Sequence, residues 1–124
     1  MALVLIAAGG AAGAVARYLA DGWVSEVTGG SFPWGTLAIN ASGSFVIGLA
    51  FALTAEATIL PAWTRGPLMI GFIGAYTTFS TFMLESWRLW EDGAVALALA
   101  NLAGSTVIGL VAVVAGLTLG RALS

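Results

Sequence analysis

"GFIGAYTTFSTF", Gly71 to Phe82, decides how this chain is read. The stretch lies inside an apolar run long enough for a membrane helix. Yet its twelve residues include two glycines, four Ser or Thr hydroxyls and a tyrosine. Glycine weakens a helix, and Ser and Thr offer its backbone competing hydrogen bonds. A non-helical break at membrane depth survives only where it is buried in protein or lines water. The segment therefore predicts a third span with an interruption that faces something other than lipid.

The rest of the chain supplies the setting. It has 124 residues, of which 60% are hydrophobic and 8% charged, with a mean hydropathy of +1.01. Soluble domains carry roughly 25% charged residues, so part of the solvent here must be lipid. The absence of cysteine and histidine removes disulfides, thiolate metal sites and the usual proton shuttle. No basic patch suits a nucleic acid. No nucleophile–base pair or metal cluster can be assembled, so no enzyme activity is expected.

A helix needs about 20 mostly apolar residues to cross a bilayer. Four stretches qualify, at about residues 1–20, 35–57, 67–90 and 94–120, and they form a single integral membrane domain over residues 1–124. The opening "MALVLIAAGGAAGAVARYL" lacks a charged leader region and reads as a retained helix. Asp21 to Trp34 reads as the longest loop, and "TILPAWTRGP" and "WEDG" read as turns. All five tryptophans fall near span ends, as an aromatic belt requires. Pro67 suits the first turn of the third helix.

Four spans put both termini on one side. Arg65 and Arg121 then fall on that side and Arg17 and Arg88 on the other, so the positive-inside rule gives almost no instruction. Two readings stay open: too few charges to interpret, or a chain that inserts both ways up.

Small and polar residues form stripes at helical spacing. Gly9 and Gly13 mark the first span, and Thr36, Asn40, Ser44 and Gly48 the second. Asn101, Ser105, Gly109, Ala112, Gly116 and Gly120 mark the fourth. Close helix packing in lipid explains the glycines. It explains Asn40 and Asn101 less well, because an unpaired amide in hydrocarbon costs several kcal/mol. Glu85 and Arg88 sit near a span end, where they can pair across one turn. No charge lies at mid-span, which argues against proton coupling. In the third span, Phe79 and Phe82 share a face. Either they pack against core or lipid, or their positive ring edges join hydroxyl and amide donors as a neutral lining for an anion. Carbonyls freed by the break suit a hard cation.

Three blocks, "GGAAGAVARY" (Gly9 to Tyr18), "GTLAINASGSFVIG" (Gly35 to Gly48) and "GFIGAYTTFSTF", in this order over nearly the whole chain, resemble the fluoride channel family Fluc (CrcB). The resemblance implies an all-α membrane protein whose four transmembrane helices, the third broken, assemble as an antiparallel dual-topology dimer in the cell membrane. It implies two fluoride pores lined by Asn40, Phe79, Ser80, Thr81, Phe82 and Ser105. It also implies a central structural sodium ion held by the backbone carbonyls of Gly74 and Thr77 from each subunit. Arg17 and Glu85 are implied at aqueous vestibules. The partners implied are fluoride, sodium, the lipid bilayer and a second copy of the chain, although a fixed heterodimer with a related subunit stays open. Ala75 stands where the family commonly has glycine, and Asn101 where members often have an aromatic or imidazole group.

The function expected is passive, selective export of fluoride. A competing class is a small four-helix proton-coupled multidrug exporter, but it needs a deep glutamate in the first helix, and there is none here. A purely structural subunit explains the glycine stripes but not the hydroxyl-rich third span.

Overall fold

The computed structural model describes residues 1–124 as an all-helical chain with four segments long and apolar enough to cross a membrane: Ala2–Thr28, Trp34–Glu56, Ala62–Glu91 and Val95–Ala122. The protein is a multi-pass integral membrane protein. Only 19 of its 124 residues are buried, so side chains such as Leu3, Val107, Leu110 and Val111 turn outward, as they must where the surroundings are acyl chains.

The first helix, α1, covers Ala2–Thr28 and runs well beyond the span expected from hydropathy. The loop read between Asp21 and Trp34 is therefore mostly helix. Asp21 to Thr28 contains no proline and a single glycine, Gly22, so nothing stops the helix. It ends where Gly29 and Gly30 take positive φ values of 61° and 78°, a region open to glycine at no steric cost. Helix α2 covers Trp34–Phe51 directly after Pro33 and continues as a π-helical turn over Ala52–Glu56.

The third span also starts earlier than expected. The stretch read as a turn around Pro61 already holds a 3₁₀ turn over Ala62–Thr64. A π-helical segment, Gly66–Ile73, follows with Pro67 in its first turn, where its missing N–H matters least. A single turn, α3 (Gly74–Tyr76), comes next. Thr77 and Thr78 are extended, with ψ values of 160° and 119°. Helix α4 then runs over Phe79–Glu91. Gly93, with φ 80°, turns the chain into α5, Val95–Ala122.

The glycine stripes hold the helices together. A methyl group on Gly48 of α2 would strike the Val113 carbonyl of α5, and one on Gly116 of α5 would strike the Phe45 carbonyl of α2. A Cβ on Gly9, Gly13 or Gly71 would meet backbone across the contact between α1 and the third span. With little hydrophobic drive between helices in lipid, such backbone-to-backbone approach supplies the attraction. It joins α2 to α5 and α1 to the third span.

The arginines divide as the connectivity requires. Arg121 makes a two-pronged ion pair with Glu56, at 2.7 and 2.8 Å. Arg65 Nη2 donates to the Thr54 carbonyl at 2.6 Å, so both guanidinium groups gather at the far end of α2.

Candidate functional site

Backbone chemistry builds the site. Where the helix stops at Tyr76 and restarts at Phe79, the main chain loses its ladder partners, and a buried backbone group left unpaired is costly. Asn40 answers this from α2. Its Oδ1 accepts from the Thr78 N–H at 2.8 Å, and its Nδ2 donates to the Thr78 carbonyl at 2.9 Å. One amide side chain thus satisfies both main-chain groups of Thr78, as a neighbouring strand would. Thr78 in turn caps α4: its Oγ1 accepts from the Thr81 N–H at 3.2 Å and donates to Thr81 Oγ1 at 3.0 Å. The Thr77 hydroxyl donates to the Ile73 carbonyl at 2.9 Å.

Four carbonyls remain over. With Thr78 N–H held by Asn40 and Thr81 N–H held by Thr78, the oxygens of Gly74, Ala75, Tyr76 and Thr77 accept no hydrogen bond within the chain. Gly74 is exposed and Thr77 half-buried. These are hard oxygen ligands in search of a partner at membrane depth.

Just beyond them, Phe79 and Phe82 meet edge to face, with ring centroids 6.2 Å apart and planes at 71°. Phe82 is buried at 8% exposure, while Phe79 stands out at 74%. A cavity of about 290 Å³ is lined by Asn40, Ser44, Thr77, Phe79 and Phe82 among others. A second, of about 360 Å³, shares Asn40, Ser44 and Phe82 and adds Ser105 from α5. Asn40, Phe79, Phe82 and Ser105, far apart in the sequence, therefore lie along one continuous face. Arg17, Ser80 and Thr81 line a separate cavity with Asp21 and Thr36.

Glu85 stands behind Thr36, whose hydroxyl donates to its Oε1 at 2.9 Å. Its Oε2 is buried without a partner. Glu85 does not pair with Arg88: the ion pair of the chain is Arg121–Glu56. The partner of Glu85 comes from α2 and not from its own helix.

Asn101, fully buried at 1% exposure, ties α5 to α4. Ser105 Oγ donates to Asn101 Oδ1 at 2.9 Å, Asn101 Nδ2 donates to Ser86 Oγ at 2.9 Å, and Ser86 Oγ donates to the Phe82 carbonyl at 2.8 Å. The Asn101 amide thus has a partner on each side, Ser86 and Ser105. Thr78, Ser86, Thr36 and Ser44 are the side chains that sequence reasoning passed over as site residues. Only the helical spacing of Thr36 and Ser44 with Asn40 hinted at them.

Chains of the same kind are known. Residues 4–117 match the family model described as CrcB-like protein, Camphor Resistance (CrcB). The chain is 49% identical over 119 residues to a protein of Hahella chejuensis, covering 96% of this chain and 94% of that one. It is 48% identical to one of Solidesulfovibrio magneticus over 96% of this chain and 95% of that one. It is 45% identical to one of Agrobacterium fabrum over 98% of this chain and 97% of that one. All three relatives bear the name Fluoride-specific ion channel FluC.

Proposed function

The chain belongs to the CrcB family, and on that premise we propose that it is a passive channel through which fluoride leaves the cell down its gradient. The observation that carries the reading is the line of uncharged groups around Asn40, Phe79, Phe82 and Ser105. Fluoride is small and strongly hydrated, and a selective path must replace its water with close donors. Amide and hydroxyl protons do this, and the positive edges of aromatic rings extend the lining without a fixed cation that would trap the ion. The cavity of Arg17, Ser80 and Thr81 serves as the vestibule, so that Ser80 and Thr81, expected in the pore, stand at its entrance, and Arg17 offsets the carboxylate of Asp21 in the same lining.

The working assembly in this reading is an antiparallel dual-topology homodimer with two pores. The even split of arginines between the two ends supports it, because neither orientation is favoured. So does the exposure of Phe79 and Gly74 in the single chain, which a second copy would cover. A sodium ion on the dimer axis would take the carbonyls of Gly74 and Thr77 from each subunit, and its role is structural. The free oxygens of the broken segment suit it, as does the lack of any carboxylate cluster that would call for a divalent metal.

The test is fluoride efflux, followed with an ion-selective electrode, from liposomes holding the purified protein. Fast fluoride release with chloride retained is expected. Release no faster than from empty vesicles, or equal passage of chloride, would sink the proposal.

A further inference from the structure

We propose that, in the two cavities that share Phe82, Ser44 is the hydroxyl that meets the anion, and that it does so more directly than Ser105. The assignment rests on the channel reading above and follows from where each proton points. Five hydroxyl side chains line the two cavities that share Phe82: Ser44, Thr77, Thr78, Ser105 and Thr106. Four already donate inside the chain. Thr77 gives its proton to the Ile73 carbonyl, Thr78 to Thr81 Oγ1, Ser105 to Asn101 Oδ1 and Thr106 to the Leu102 carbonyl. A hydroxyl has one proton, so each of these four turns lone pairs towards the cavity, and lone pairs repel an anion.

Ser44 differs. It makes no hydrogen bond within the chain and does not fold back on the carbonyl one turn earlier, as Thr54, Ser86, Thr106 and Thr118 do. It is half-buried, and its oxygen is not among the sealed polar atoms without a partner. It lies one helical turn after Asn40 on the same face of α2, and it borders both cavities. Asn40 engages one Nδ2 proton with Thr78 and keeps the other. Across the gap, Gly109 leaves room: a Cβ there would sit 3.6 Å from Ser44 Oγ. Two free donors one turn apart, in the lining they share with Phe82, form a cradle for a small, hard anion.

Fluoride flux from proteoliposomes tests this in wild type, Ser44→Ala, Ser44→Cys and Ser105→Ala, each first checked for elution as the same assembly. A hydrogen bond to a charged group is worth enough that its loss slows passage by about tenfold or more. Ser44→Ala is expected to fall by at least that factor and further than Ser105→Ala. Ser44→Cys, with its weak S–H donor, is expected between Ser44→Ala and wild type. Ala is the best helix former, and Ser44 holds nothing in place, so the fold should persist. A conducting wild type with an equally conducting Ser44→Ala would overturn the assignment alone. So would a greater loss in Ser105→Ala. A wild type that carries no fluoride would overturn the channel reading and the assignment with it.

Discussion

Replacing Asn40 with leucine keeps roughly the side chain's size and removes both hydrogen bonds to the Thr78 backbone. Thr78 is 8% exposed, so water cannot easily take the place of the lost amide. Each bond contributes about 1 kcal/mol net, and each buried backbone group left unpaired costs about 1–3 kcal/mol. A local penalty of about 3 kcal/mol is a moderate sum of these, equal to roughly two decades in an opening equilibrium. The Thr78 amide should therefore exchange its hydrogen about a hundredfold faster in Asn40→Leu than in wild type, read by exchange and mass spectrometry on the detergent-solubilised protein. Amides in the middle of α5 should be far less affected. Asn40→Asp separates the two bonds. It keeps an acceptor for the Thr78 N–H but sets a second oxygen against the Thr78 carbonyl, so it should also open the segment, and its half-buried negative charge should repel an anion in flux assays. Unchanged exchange at Thr78 in Asn40→Leu would refute the idea that this amide clamps the broken helix.

Phe79→Ile and Phe82→Ile should each abolish or strongly slow fluoride efflux while eluting as wild type does in size-exclusion chromatography; wild-type flux in both would remove the aromatic edges from the proposed path. Gly116→Ala drives a methyl into the Phe45 carbonyl with Leu49 N only 2.9 Å away. It should destabilise the α2–α5 contact by about 1–3 kcal/mol, seen as a lower melting temperature in detergent, whereas Gly104→Ala, with open space around it, should melt no lower than wild type. Purification and reconstitution with sodium replaced by a bulky organic cation should lower flux or dimer stability, and equal behaviour in both media would remove the axial ion from the scheme.

Several features were legible because they follow from transfer free energy and from the small size of glycine. Four apolar runs must be four membrane helices, and glycines at spacings of three and four must let backbones touch. The pairing of Gly48 and Gly116 with carbonyls across α2 and α5 is that rule at work. The end of α1 was misread, since polar Asp21, Ser25 and Glu26 suggested a loop. Polarity says where lipid ends, while the helix stops only at a residue that breaks it, here Gly29. The pairing of Glu85 with Arg88 also failed, because spacing along one helix cannot see Thr36 arriving from another.

The sequence by itself determined the solvent this protein lives in, the number of times it crosses that solvent, and the weak point between Gly71 and Phe82. Each depends on local propensity or on hydrophobicity summed along the chain. Only the tertiary structure decided which hydroxyls donate within the chain and which do not, that Asn40 stitches the break and that Asn101 takes the proton of Ser105. A hydrogen bond's direction depends on which partner stands within about 3 Å, and those partners come from helices distant in the chain.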